Sequence, residues 1–136
     1  MYYSIKLFNI KENEFEVLQT LNDHNDWVWK IIELKNKALV SCSLDRSIIF
    51  YIKDNIKYKK DYQISTNGSC RNIIQTKDDE ICYNETDNET ICFYDLLERK
   101  VKSSISNISN CNMIMITKGL LLITGENKIS IINVNN

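Results

Sequence analysis

A thiol, an imidazole and a carboxylate occur in the order His24, Cys42, Asp45, and together such groups can make a nucleophilic cysteine. That chemistry needs the base within hydrogen-bond reach of an exposed, activated thiolate. A thiol-dependent hydrolase is therefore the enzyme reading to weigh against non-catalytic ones. The remaining cysteines are Cys70, Cys82, Cys92 and Cys111, leaving gaps of 28, 12, 10 and 19 residues along the chain. Zinc sites use closely spaced Cys or His pairs, so neither a metal nor a cofactor is expected. Glu85, Asp87 and Glu89 alternate acidic side chains, but no glycine permits the tight loop of an EF-hand, and a solvated turn is expected there. Lys57, Lys59 and Lys60 fall on a strand that reads as the outer edge of a sheet. Lysines there discourage pairing with other chains, and this explains them better than phosphate binding does.

Composition narrows the class further. The 136 residues are 43% hydrophobic and 26% charged, an ordinary globular mixture. A formal net charge of −1 supplies no field to attract nucleic acid or an anionic membrane, so neither is expected as a partner. No stretch reaches the roughly 18–20 apolar residues of a membrane span. The first ten residues carry Lys6 and Asn9 and lack the apolar core of a signal peptide. Five cysteines, an odd number at irregular spacing, make a poor disulfide framework. A cytoplasmic location is expected, with the nucleus also open.

The elements that must carry these residues repeat. Four strand-like segments begin Ser4-Ile5, Ser47-Ile48, Thr90-Ile91 and Lys128-Ile129, and their isoleucines are 43, 43 and 38 residues apart. A period of roughly 40–45 is that of a four-stranded propeller blade. Further β-branched and aromatic runs lie between them, giving thirteen candidate strands at intervals of about 8–12 residues. They are Ile5–Asn9, Phe15–Leu21, Trp27–Leu34, Ala38–Ser43 and Ser47–Ile52, then Tyr58–Ser65, Arg71–Thr76, Glu80–Asn84 and Thr90–Leu96, then Val101–Ile108, Asn112–Thr117, Leu120–Thr124 and Lys128–Val134. Turn residues separate them, among them Asn22-Asp23, Asp54-Asn55, Asn67-Gly68 and Lys118-Gly119. With three glycines and no proline, Asn and Asp are expected to supply most turns. Ser103–Met115 is the best helical candidate, but Ile105, Ile108 and Met115 do not sustain a 3.6-residue stripe. An all-β chain is expected, organised as a partial repeat at 1–22, repeats at 23–65 and 66–108, and a partial repeat at 109–136.

One cycle carries more than spacing. His24-Asn25-Asp26-Trp27-Val28-Trp29-Lys30-Ile31, continuing through Leu39-Val40-Ser41-Cys42-Ser43-Leu44-Asp45-Arg46-Ser47-Ile48-Ile49-Phe50-Tyr51, resembles a WD40 repeat. Asp23-His24 stands at the family's Gly-His opening. Phe8-Asn9, Tyr51-Ile52, Tyr94-Asp95 and Ile132-Asn133 stand at its Trp-Asp closing. The resemblance implies a WD40-like β-propeller segment of four-stranded antiparallel blades, about three blade-equivalents in an incomplete ring. It also implies a hydrogen-bond network of His24, Asp45, Ser43 (or Ser41) and Tyr51, with Asn67 in the His position of the next cycle and Asp87 or Asn88 in its turn.

Function follows from the same resemblance, which points to a non-catalytic protein–protein interaction scaffold. A truncated or degenerate copy of a larger WD40 protein is the alternative. The family's loops at one end of the ring would here present Trp27, Leu44, Arg46, Ser69, Arg71 and Asp87 to a protein or peptide partner. Trp and Arg dominate interface energetics, and Trp27 with Arg46 and Arg71 would suit an acidic or phosphorylated segment. Of the two tryptophans, one is expected to fill a gap between blades, and Trp27 is expected to be the exposed one. Because about three blades leave a ring open, the chain is expected either to close a six-bladed ring as a homodimer, with Phe15–Leu21 supplying a partner's missing outer strand, or to aggregate through its open faces.

Overall fold

The computed structural model describes residues 3–109, 111–117, 119–125 and 129–135. Thirteen strands are formed among them: β1 Ile5–Lys11, β2 Glu14–Leu21, β3 Val28–Glu33, β4 Leu39–Ser43, β5 Ser47–Asp54, β6 Lys57–Ser65, β7 Cys70–Lys77, β8 Glu80–Glu85, β9 Thr90–Asp95, β10 Lys100–Ile105, β11 Asn112–Thr117, β12 Leu120–Thr124 and β13 Ile129–Asn133. One 3-10 turn, Thr86–Asn88, is the only helical element among the described residues. Most expected strands agree to within two residues. The tenth ends at Ile105 rather than Ile108, because Asn107 turns into the left-handed region at φ 63°. Lys118 and Lys128, read as a turn residue and a strand start, lie outside the described residues.

All pairing is antiparallel and sequential. The strands make four sheets in chain order: β1-β2, β3-β4-β5-β6, β7-β8-β9-β10 and β11-β12-β13. None of them closes on itself, and β2, the segment expected to be donated to a partner, pairs with β1 of its own chain. The leading strands β3, β7 and β11 of the larger sheets lie side by side.

The sheets stack face to face, and the sequence explains why. Ile48-Ile49-Phe50-Tyr51 is apolar without alternation, which suits a strand buried on both faces. Ile49 and Tyr51 pack with Leu21 and with Ile5 and Leu7 of the first sheet. Ile48 and Phe50, on the opposite face, join Val40 and Cys42 against Ile73, Ile81 and Tyr83 of the third sheet. Cys82, Ile91 and Phe93 then meet Met113, Leu121 and Ile123 of the fourth. Three apolar layers thus alternate with four sheets. Full burial of one such side chain stabilises by about 1.5–3 kcal/mol, so each layer is a strong fixing contact. Among the described residues no helix is long and apolar enough to cross a membrane.

Asn or Asp stands in most of the tight turns, as expected, but seldom at the left-handed position itself. Among the described residues, six non-glycine residues have left-handed backbones: Lys37, Arg46, Asn55, Glu89, Arg99 and Asn107. Only two are Asn and none is Asp. Asp acts from ahead of the left-handed residue, through its carboxylate. Asp95 Oδ1 accepts the N–H groups of Leu97 and Glu98, both at 2.8 Å, and so holds the β9–β10 turn in which Arg99 takes φ 52°. Gly119, at φ 94°, is the described position that calls for glycine, because an L side chain is strained in that backbone conformation whatever space surrounds it.

Candidate functional site

His24 leaves β2 on a short loop and inserts its ring beside β4, where it is buried. Its Nδ1 lies 2.9 Å from Asp45 Oδ2, and its Nε2 lies 2.7 Å from Ser41 Oγ. Asp45 opens the β4–β5 turn and also accepts the Asn25 N–H at 2.8 Å and the Ser47 hydroxyl at 2.6 Å. Burial pushes the Asp45 carboxyl up, but hydrogen bonds from Ser47, the Asn25 N–H and His24 outweigh it and hold the group below the usual carboxylate range. An ionised Asp45 can only accept, so Nδ1 donates to it, and Nε2 is left to pair with the Ser41 hydroxyl. The cluster ties the loop before β3 to the β4–β5 turn. Its geometry is that of a fully satisfied polar knot.

Ser47 Oγ lies 3.2 Å from Nδ1, and the hydroxyl at Nε2 of the imidazole belongs to Ser41, not Ser43. Both residues share one side of β4, but the ring reaches the deeper of the two. Ser43, at the strand end, donates to the Asp26 carbonyl at 3.1 Å and accepts the Asp45 N–H at 3.0 Å. Tyr51 is wholly buried, and its hydroxyl has no hydrogen-bond partner although Ser41 and Asp23 flank it. Burial pushes its phenol far above the ordinary range. Ser47, which completes the knot, was not singled out from the sequence; its place two residues after Asp45, within reach of the same carboxylate, was the available signal.

Asn67 does not stand in for His24 in the next sheet. It is exposed, and its backbone N–H is taken by Glu85 Oε1 at 3.0 Å. Asp87, in the 3-10 turn, accepts both the N–H and the hydroxyl of Ser69 at 3.1 Å. The Ser69 N–H leads the influences that hold the Asp87 carboxyl below its ordinary range, with Arg46 also contributing. Asn84 Oδ1 takes the N–H groups of Arg71 and Asn72 at 3.1 and 2.7 Å.

The thiols are placed apart from the imidazole. Cys42 lies in the apolar layer on the opposite face of β4 from Ser41 and His24. All five cysteines are buried and free. Burial pushes the Cys70 and Cys82 thiols well up, and those of Cys92 and Cys111 also rise for the same reason. Glu85, Asp87 and Glu89 do not converge: Glu85 is buried on Asn67 and Asn88, Asp87 serves Ser69 and Arg46, and Glu89 forms the left-handed turn. Among the described residues no three His, Cys, Asp or Glu side chains form a metal-holding group.

The exposed surface next to the knot is the more informative site. Both tryptophans are exposed, Trp27 at 54% and Trp29 at 43%, so neither fills a gap between sheets. Their rings meet edge to face at 5.8 Å, and the Arg71 guanidinium sits 4.9 Å over Trp29. Trp29 is the residue that sequence reasoning left out of this surface; alternation from Trp27 along β3 was its signal. Trp27 is joined to the rest through Leu44, whose N–H donates to the Trp27 carbonyl at 2.9 Å. Ser69 Oγ reaches the Leu44 carbonyl at 3.4 Å, and Arg46 pairs with Asp87 at 3.2 Å. The six residues named from the sequence are thus linked in one chain of contacts, Arg71 through Trp29, with Ser69 buried beneath the exposed Trp27, Arg46 and Arg71. Within it Arg46 is an ion-paired cation, whereas Arg71 is a stacked one. Beside Arg71 a cavity of about 430 Å³ opens between Asn72, Asn84, Thr86, Cys111 and Asn112.

Fold and site together define an all-β chain of stacked antiparallel sheets with an exposed aromatic and cationic patch at their loop ends. No protein-family model matches the chain, and a search of curated proteins finds no match to it.

Proposed function

We propose that this chain is a segment of a WD40-type β-propeller that acts as a non-catalytic protein-interaction scaffold, taking an acidic or phosphorylated segment on the Trp27–Trp29–Arg71 surface. The carrying observation is that surface: two exposed indoles in contact, one of them under an arginine, beside a second arginine. Large rigid aromatics with Arg are the residues that dominate interfaces, and the guanidinium fork matches carboxylate and phosphate groups. The propeller reading is supported by the 43-residue spacing, by sheets stacked in chain order with β3, β7 and β11 together, and by the His24–Asp45–Ser41 knot. Five free, buried thiols fit a reducing, cytoplasmic setting.

A degenerate copy of a larger WD40 protein is the second reading. It is favoured by the single knot among the described residues, since Asn67 is exposed and the Asp87 carboxylate accepts from Ser69 instead. Pull-down from the native cell separates the two. Wild type should capture a defined set of partners, and a folded Trp27→Ala, Arg46→Glu, Arg71→Glu variant should lose them. An identical set for both proteins would place binding elsewhere, and an empty set for wild type would favour the degenerate copy.

A further inference from the structure

The first and last sheets each leave one apolar face uncovered, and those faces occupy repeating positions. On the equivalent strands β1, β5 and β9, the pairs Ile5/Leu7, Ile48/Phe50 and Ile91/Phe93 pack toward the following sheet. The alternate residues Tyr51, Tyr94 and Ile132 pack toward the preceding one. Every layer inside the chain is therefore a forward set meeting a backward set.

Among the described residues, the same sets have no partner at the two ends. On β13 the forward pair is Ile129 and Ile131, exposed by 75% and 63%. Ile131 pairs with Leu122, and Leu122 with the 60% exposed Ile114, so an apolar row crosses the whole sheet. On β1 the residue 43 positions before Tyr51 is Phe8, exposed and paired with the exposed Val17. Ile10 and Phe15 form the next such pair, at 73% and 74% exposure. Lys6 stands in the position of the fully buried Ile49, so this face carries one charge beside Phe8 that the first internal junction lacks.

We infer that these two faces bind each other in different copies of this chain, the Ile129–Ile131 face of one copy packing on the Phe8–Phe15 face of the next. The occupant is a second copy because each end presents the missing half of a junction the chain makes three times within itself. Like faces do not meet in any internal layer, so the contact runs head to tail. Such a heterologous contact closes into a ring when its rotation allows. Two copies would place eight sheets around an axis, the upper end of the roughly four-to-eight range for propellers. The inference does not rest on the binding surface proposed above, none of whose residues lies on either face.

Sedimentation velocity of the full chain tests it. Wild type should sediment as a species of twice the chain mass. Ile131→Glu and Phe8→Lys should each be monomeric, because each blocks one half of every junction. An equimolar mixture of the two should recover a dimer, since one intact tail and one intact head remain. Circular dichroism and a cooperative melt confirm that each variant is folded, and Ile129→Glu with Val17→Lys provides a second pair. A monomeric wild type, a single variant that associates as wild type does, or a mixture that stays monomeric would overturn the inference.

Discussion

Both ring nitrogens of His24 are engaged inside the protein, so its removal takes the imidazole partner from the buried Ser41 hydroxyl and one of several partners from Asp45. Leaving buried polar groups unpaired costs about 1–3 kcal/mol, and His24→Ala should lower the melting temperature by several degrees. Ser41→Ala should cost more than Ser43→Ala, since Ser41 faces the imidazole and Ser43 serves backbone groups at the strand end. A thermal melt of the three variants checks both statements. Tyr51 behaves oppositely. Its hydroxyl is buried without a partner, so Tyr51→Phe should leave stability unchanged or raise it; a clear loss would mean that Ser41 or Asp23 holds the phenol. Asp95 supplies a pH prediction. The Lys102 ammonium, aided by the Glu98 and Leu97 N–H groups, lowers its carboxyl to about 2 from 3.8. A folded-state pKa below the unfolded one stabilises above the unfolded value and is lost as pH falls through the folded one. The margin of wild type over Asp95→Asn should therefore be constant above pH 3.8 and vanish as the pH drops through about 2. Acid unfolding of the two proteins measures it.

Turns and strands show which parts of this architecture the sequence makes legible. The strands were readable because Ile5, Ile48, Ile91 and Ile129 mark a period, and because runs such as Ile48–Tyr51 have only one all-β use. Left-handed turn positions were not readable. Residues such as Lys37, Glu89 and Arg99 adopt them only because the paired strands on either side leave no other path. The choice between Ser41 and Ser43 was hidden for a similar reason, since alternation puts both on one face and only the depth of the ring selects one. An L-residue in the left-handed region costs about 1–2 kcal/mol, which glycine avoids. Glu89→Gly should therefore stabilise the protein by up to about 1 kcal/mol, read as a raised midpoint in denaturant. Arg99→Gly should gain less, because the Arg99 guanidinium lies 4.0 Å over the Tyr62 ring and that contact would be lost. Equal gains would show that the stacked arginine contributes nothing.

Across the whole molecule, the stacked sheets gather the loops before β3 and β7 and the turns after β4 and β8 into one patch. That placement joins Trp27 to Ser69 and Arg46 to Asp87, residues far apart in the sequence. The positions of the patch residues could be named from the sequence through the WD40 resemblance, but the pairing of Arg46 with Asp87 and of Arg71 with Trp29 could not. Both depend on how adjacent sheets abut. The proposed scaffold function is most directly open to test because Trp27 and Trp29 are the only tryptophans in the chain and both are exposed on this patch. Intrinsic tryptophan emission therefore reports on the proposed binding surface alone. On titration with acidic and phosphorylated peptides, or with a captured partner, emission should shift to the blue and acrylamide quenching should fall. The Arg46→Glu, Arg71→Glu variant should show neither change. A partner whose binding is measured by calorimetry but leaves the emission and the quenching of wild type untouched would contradict the account.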